Sequence, residues 1–361
     1  MHVVVIGAGV NGVGSALAIQ QELPEVKVTI VASAFSPDTT GDGAAGLWGP
    51  HLVGGDPQQI ARWSRRTHDL FHQLWREGDC PGIGLFSGSD ASPEPTAHDT
   101  VPFFCGELSS DKHPQVALQS QMTSPSQVAP QSGGKPNAKS QSQVGPQTLV
   151  APPSPVERHC QYVTFYAEPA KLLPFLLARF RERGGATVTT TVTALAELAA
   201  YDVIVNCSGL GARELVGDLG VYPIRGQVVR VRAPAVKTFL GTDTHYVIPN
   251  DDVVILGGTA QTDDWRRAPD AADTARILAG CCRLVPALRD APVLRVWAGL
   301  RPYRAGGVRL ELERRALAGR SVPVVHNYGH GGAGVTLFWG CALDVAVLVA
   351  AEVRRLGRSR L

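Results

Sequence analysis

The residues with the plainest chemical potential are glycines. In Val3-Val4-Val5-Ile6-Gly7-Ala8-Gly9-Val10-Asn11-Gly12 an apolar run passes into a Gly-x-Gly-x-x-Gly turn. Glycines at that spacing let the backbone turn tightly and approach a pyrophosphate, and the helix that follows aims its first N–H groups at the phosphate. Strand, turn, helix and second strand follow in order, so the motif reads as a dinucleotide site rather than a bare tight turn. Its expected contacts are Gly7, Ala8, Gly9, Val10, Asn11 and Gly12. An acidic residue is expected at the end of the second strand to hold the adenosine ribose. The chain offers Val31-Ala32-Ser33-Ala34 instead, so Ser33 takes that place with a single uncharged hydroxyl, and weaker cofactor retention is expected.

Two further signals lie near the other end. Arg301, in Gly299-Leu300-Arg301-Pro302, presents a guanidinium fork that matches a carboxylate, although a lone arginine is more often a salt-bridge residue. In His326-Asn327-Tyr328-Gly329-His330-Gly331-Gly332-Ala333-Gly334 the two histidines stand four apart, a spacing that suits a metal pair on a helix. The glycines make a helix there improbable, so no metal site is assigned. The better reading is a second helix beginning, its N–H groups facing a ligand that becomes anionic, as a flavin does on reduction.

These motifs need elements to hold them. A helix is expected over Gly12 to Glu22, a strand over Val26 to Val31, and a Thr-, Asp- and Gly-rich loop from Ser36 to Gly46. Later come a helix over Pro169 to Arg183, strands at Thr187 to Val192, Val203 to Val205, Gln227 to Val231, Tyr246 to Ile248 and Val253 to Leu256, a helix from Ala271 to Leu284, and a final helix to about Arg355. From Ser109 to Pro155 the chain is rich in Ser, Gln, Pro and Gly with no sustained apolar period, and a disordered insertion is expected. The first apolar run reads as a strand with no charged leader, and Val345 to Ala351 as a buried helix too short to span a membrane.

The bulk composition is permissive. The 361 residues can bury a substantial core, and 34 Lys+Arg against 32 Asp+Glu give no basic footprint for nucleic acid. Seven cysteines, an odd number without a C-x-x-C pair, argue against a disulfide framework or zinc knuckle and for a reducing compartment.

Taken jointly, Gly7-Ala8-Gly9, Pro37-Asp38-Thr39-Thr40, Ala44-Ala45-Gly46-Leu47-Trp48, Arg225-Gly226-Gln227, Gly299-Leu300-Arg301-Pro302 and the stretch from His326 to Gly340 resemble the D-amino-acid oxidase and D-aspartate oxidase family. The resemblance implies an α/β protein in which a Rossmann-like FAD-binding domain (1–50, 160–215 and 295–361) is interleaved with an antiparallel-sheet substrate domain (51–108 and 216–294), with 109–156 as the insertion. FAD is the implied cofactor. By the resemblance Arg301 clamps the substrate carboxylate, Tyr246 donates a second hydrogen bond to it, and the Gly332 carbonyl meets the amine. Thr39, Thr40, Gly46, Leu47, Val192, Ser208, Gly331, Gly332, Ala333, Gly334, Val335 and Thr336 would line the flavin. The implied reaction is direct hydride transfer from Cα to flavin N5, with oxygen as acceptor and peroxide as product, so orientation is the main catalytic device.

Acidic substrates need a second cation. The two positions where the aspartate enzymes place one are Ala260 and Phe239 here, and Gly332 and Leu47-Trp48 also resemble the neutral-substrate enzymes, so neutral D-amino acids are expected. The chain departs from the family where the lid tyrosine segment reads Tyr162-Val163-Thr164-Phe165-Tyr166, and at Thr242, where a tyrosine is usual. The alternatives are a D-aspartate oxidase, a catalytically impaired flavin-fold binding protein, and an NAD-dependent dehydrogenase that releases no peroxide. The expected partners are a D-amino acid and oxygen, no nucleic acid and no membrane. A homodimer is a further expectation. Ser359-Arg360-Leu361 resembles a peroxisomal address read by the import receptor, which makes the peroxisome, or otherwise the cytoplasm, the expected location.

Overall fold

The computed structural model describes residues 1–92 and 158–358. In chain order the elements are β1 (His2–Ile6), α1 (Val10–Glu22), β2 (Lys27–Ala32), α2 (Pro57–Glu77), β3 (Ile83–Ser92), β4 (Arg158–Ala167), α3 (Pro169–Glu182), β5 (Ala186–Thr189), β6 (Val203–Asn206) and α4 (Ala212–Leu215). They continue with β7 (Val221–Val231), β8 (Phe239–Thr242), β9 (Tyr246–Pro249), β10 (Val254–Gly257), β11 (Gln261–Thr262), α5 (Ala271–Leu284), β12 (Val293–Arg304), β13 (Arg309–Leu317), β14 (Arg320–Tyr328) and α6 (Gly334–Arg358). The expected insertion and the tripeptide Ser359-Arg360-Leu361 lie outside the described residues.

The first sheet runs β13-β14-β6-β1-β2-β5. β1 pairs in parallel with both β2 and β6, which explains why Val3, Val4 and Val5 are all fully buried: a central parallel strand is covered on both faces and needs no alternation. α1, α3 and α6 cover one face. Gly14 of α1 lets that helix and α6 touch, since a Cβ there would stand 2.6 Å from Phe338 Cδ2. α6 is apolar and long enough by length and composition to cross a membrane, yet Val345, Ala346, Val349 and Ala350 are buried in the core beside α1. It is a core helix, and longer than the sequence period indicated.

The second sheet runs β11-β7-β10-β9-β8-β3-β4, with β12 on the other side of β7 along most of its length. It is antiparallel, as expected, with one parallel pairing at β3–β8. Two stretches assigned by sequence to the flavin-binding part belong here instead: β4 pairs with β3, and β12 supplies an eleven-rung ladder from Val293 to Arg304 against β7. The Tyr162 to Tyr166 segment is strand rather than lid, paired antiparallel to β3. Sequence patterning also passed over α2. It is signalled by Asp56 at the N-cap, accepting from the Gln58 N–H at 3.0 Å, Pro57 in its first turn and a left-handed Gly78 after its end. Its stripe of Ile60, Trp63, Thr67, Phe71 and Leu74 packs toward the core.

Candidate active site

The glycines of the N-terminal turn serve different ends. Gly7 has φ +100°, and a Cβ there would stand 2.5 Å from the Cys207 carbonyl oxygen; one on Gly12 would stand 1.9 Å from the Gly7 oxygen. Both are small because the protein packs against itself. Gly9 is the N-cap of α1, no described side chain caps it, and no described atom lies within 4 Å of where its Cβ would be. Its smallness therefore leaves space in front of the helix beginning. Bordering that turn, Asn11 Oδ1 and Ser208 Oγ are buried without a hydrogen-bond partner among the described residues. Leaving such atoms unpaired costs about 1–3 kcal/mol each, so they mark a place for a polar ligand.

A second helix beginning meets the first. The Cβ position of Gly334, the first residue of α6, is 3.5 Å from Asn11 Nδ2 and 4.0 Å from Val10 Cγ1. The turn before it uses left-handed backbone at Gly329 (φ +90°) and Gly331 (φ +55°). The Gly331 N–H donates to Pro302 O at 2.9 Å and the Gly332 N–H to Leu52 O at 3.2 Å, which ties the turn to the end of β12.

The loop from Ser36 to Trp48 supplies the third side. Thr39 is a turn-former: its N–H and its hydroxyl donate to Asp42 Oδ2 at 2.9 and 2.7 Å. Thr40 is exposed. Gly46, at φ +85°, passes so close to β4 that a Cβ would stand 2.2 Å from Ala167 O, and Leu47 bridges to Tyr166.

The second sheet contributes the carboxylate-sized fork. Its faces are distinct: Arg225, Gln227, Val229 and Val231 point to the α5 side, and Gly226, Val228 and Arg230 to the other. Arg301 of β12 lays its guanidinium over Gly226, where a Cβ would stand 2.3 Å from Cζ, and donates from Nη1 to the Thr259 carbonyl at 3.0 Å. The Tyr246 ring lies over Gly257 and Gly258. Burial pushes its phenol up, against the charge and hydrogen bond of neighbouring Arg301, so the hydroxyl stays protonated and can donate. Gly332 joins this pair, its Cβ position 3.4 Å from Arg301 Cδ and 2.9 Å from His51 Cδ2. The structure thus gathers Arg301, Tyr246 and Gly332 with both glycine turns at one end of the two sheets.

Other expected contacts fall differently. Val192 lies beyond the end of β5, which stops at Thr189, and packs on the cluster holding Val4, Ile6 and Val31. Thr336 spends its hydroxyl on the backbone of Gly49, donating to its oxygen at 2.8 Å and accepting from its N–H at 3.1 Å. Ala333 and Val335 are buried in apolar clusters, so only their backbones could face a ligand. Ser33 is exposed just past β2. His326 and His330 do not converge. Burial lowers both imidazoles, His330 to about 3, so His330 stays neutral at physiological pH. His326 lies between Glu313 Oε2 at 3.0 Å and Asn206 Nδ2 at 3.3 Å, while Asn206 Oδ1 accepts from the Ser208 N–H at 3.2 Å. That chain fixes the turn after β6. It was not legible beforehand because its members lie 120 and 13 residues apart.

A helix-start pair with open space at Gly9 and unpaired polar atoms beside it fits a dinucleotide carrying a second ring system. The model of the FAD dependent oxidoreductases matches residues 2–94 and 140–348. This chain belongs to that family. Its cofactor is FAD, which the residues of the two turns fit. The chain is 36% identical to a D-aspartate oxidase of Homo sapiens, covering 98% of this chain and 96% of that one. It is 34% identical to a D-amino acid oxidase of Dugesia ryukyuensis, covering 97% and 98%. Among solved structures, glycine oxidase from Geobacillus kaustophilus superposes with a TM-score of 0.67 at 18% identity over 98% of this chain and 94% of that one, a likeness of fold. Among the described residues the cysteines at 80, 207, 281, 282 and 341 of this oxidoreductase are free thiols.

Proposed function

We propose that this FAD-dependent oxidoreductase deaminates D-amino acids oxidatively, with neutral side chains preferred. The amino acid, oxygen and water give the 2-oxo acid, ammonia and hydrogen peroxide. The observation that carries the reading is the juxtaposition of Arg301, Tyr246 and Gly332 beside both glycine turns. Full-length similarity to oxidases of D-amino acids and D-aspartate supports the substrate configuration.

Bound FAD supplies the two-electron acceptor for the hydride on Cα, and dioxygen accepts those electrons in turn. The chain's part is to orient. Arg301 pairs with the α-carboxylate, held in advance by the Thr259 carbonyl, and Tyr246 donates a second hydrogen bond. The Gly332 carbonyl accepts from the amine. With the carboxylate and amine both fixed, only one configuration at Cα turns its hydrogen toward the flavin side.

The preference for neutral side chains is supported by Phe239, which is buried among Phe86, Tyr162, Val228, Ile248 and Ile255, and by exposed, uncharged Ala260. Arg230 lies on the site face of β7, which favours the D-aspartate reading, but it donates to the carbonyls of Gly43 at 3.1 Å and Asp42 at 3.4 Å. A distal carboxylate left without a cation costs several kcal/mol. The purified holoenzyme should show kcat/KM for D-alanine at least tenfold above that for D-aspartate, read by peroxide release; the reverse order would make it an aspartate oxidase.

We extend the proposal to a peroxisomal address in Ser359-Arg360-Leu361 and to a homodimer. Deleting the tripeptide should leave a tagged protein in the cytosol, and light scattering should give twice the chain mass. Unchanged organelle targeting, or a monomeric mass, would remove the respective part.

A further inference from the structure

In the β7–β12 ladder Gly226 pairs with Gly299, so two adjacent strands carry no side chain of their own at the centre of the site face. Both gaps are filled from along β12. Residues 297, 299 and 301 share a face by strand alternation. Arg301 covers Gly226, and Trp297 covers Gly299, where a Cβ would stand 1.9 Å from the indole Cη2. Cβ positions in such a pair are about 4.5–5.5 Å apart, which makes the indole the immediate neighbour of the guanidinium. The same ring also covers Gly43, whose Cβ position is 2.1 Å from Cη2 and Cζ2. Gly43 ends the short turn that leads to Gly46 and Leu47. Trp297 therefore spans from the carboxylate fork to the flavin-side loop, half-buried, in one apolar cluster with Tyr246, Leu47 and Phe239.

We infer that Trp297 is a specificity-determining residue: its indole is the wall that limits the size of the substrate side chain beside Arg301. The inference rests on Arg301 as the carboxylate clamp. In an α-amino acid Cα is one bond from the carboxylate and the side chain begins at the next, so a rigid ring adjoining the guanidinium meets the side chain early. An indole cannot shorten, and glycines at 43 and 299 leave it no bulk to be displaced by; a large side chain has to compete with it for the same space.

The test uses the full-length holoenzyme with Trp297→Leu and Trp297→Phe. The ratio of kcat/KM for D-tryptophan to that for D-alanine should rise at least tenfold in the leucine variant and by a smaller factor in the phenylalanine variant. Two non-reacting carboxylates give a readout without turnover: the Kd of indole-3-acetate relative to acetate, followed by perturbation of the flavin absorbance, should fall in parallel. If the leucine variant does not fold, the phenylalanine variant alone carries the comparison. Unchanged ratios, including the case where FAD retention drops and the ratios do not move, would overturn the inference and leave Trp297 as packing for the Gly43 turn. Failure of the clamp itself is read separately: Arg301→Leu would then turn over both substrates normally.

Discussion

Replacing Arg301 with leucine lowers kcat/KM for D-alanine by about 10³-fold or more, with FAD content and melting temperature close to those of the parent. The size follows from leaving a substrate carboxylate desolvated with no cation, which costs roughly 2–5 kcal/mol, plus the loss of its fixed orientation. Within the protein Arg301 lies over Gly226 and hydrogen-bonds the Thr259 carbonyl and the Tyr246 hydroxyl, so its removal leaves few groups of the protein unsatisfied. Lysine at the same position keeps the charge and loses the fork, and an intermediate loss of about 10–100-fold is expected. Steady-state peroxide release with D-alanine, alongside the flavin spectrum, measures both. An Arg301→Leu enzyme with parental kcat/KM would mean that the carboxylate binds elsewhere.

Arg225 is next in sequence to Gly226, which Arg301 covers, but its own side chain turns to the α5 side of β7. It is fully buried on the opposite face of β7, and all five of its guanidinium donors are used. Nε donates to Arg266 O at 3.0 Å, Nη1 to Gln261 Oε1 at 2.6 Å and Asp273 Oδ2 at 2.9 Å, and Nη2 to Gln227 Oε1 at 2.7 Å and Ala268 O at 2.8 Å. Gln227 in turn donates from its backbone to Thr259 Oγ1 at 2.7 Å, in the residue whose carbonyl holds Arg301. Arg225→Met therefore strands a carboxylate and several carbonyl groups in the interior. A destabilisation of about 3–5 kcal/mol is expected, seen as a fall in melting temperature of roughly 5–15 °C. Calorimetry of the FAD-loaded protein checks it; a shift under 2 °C, by order of magnitude below 1 kcal/mol, would show that the network contributes little.

The two arginines illustrate how far a sequence can be read. Both stand in short motifs with glycine beside them, and their side chains look equivalent on paper. Strand parity decides between them. Position 225 faces α5 and finds Asp273, whereas 301, through its cross-strand register with Ile224, faces the flavin side and finds Tyr246 and Gly332. Periodicity could not supply this, because β7 is buried along nearly all its length and its alternation is hidden. The sheet to which β12 belongs is likewise hidden from the sequence, because its partner strand lies far earlier in the chain, with Val231 opposite Val293.

What the residues alone determined was local and backbone-driven. Gly7 and Gly12 dictate a tight strand-turn-helix and Gly329 and Gly331 a second turn, because left-handed or crowded backbone excludes other side chains, while Gly9 leaves open space before the first helix. Tertiary structure decided the rest. It committed the Thr336 hydroxyl to Gly49, turned Thr39 inward onto Asp42, and set Trp297 beside Arg301 across a bare Gly226–Gly299 pair. Those outcomes depend on which distant strand becomes a neighbour and in which register, and a one-residue shift would exchange the two faces of the sheet.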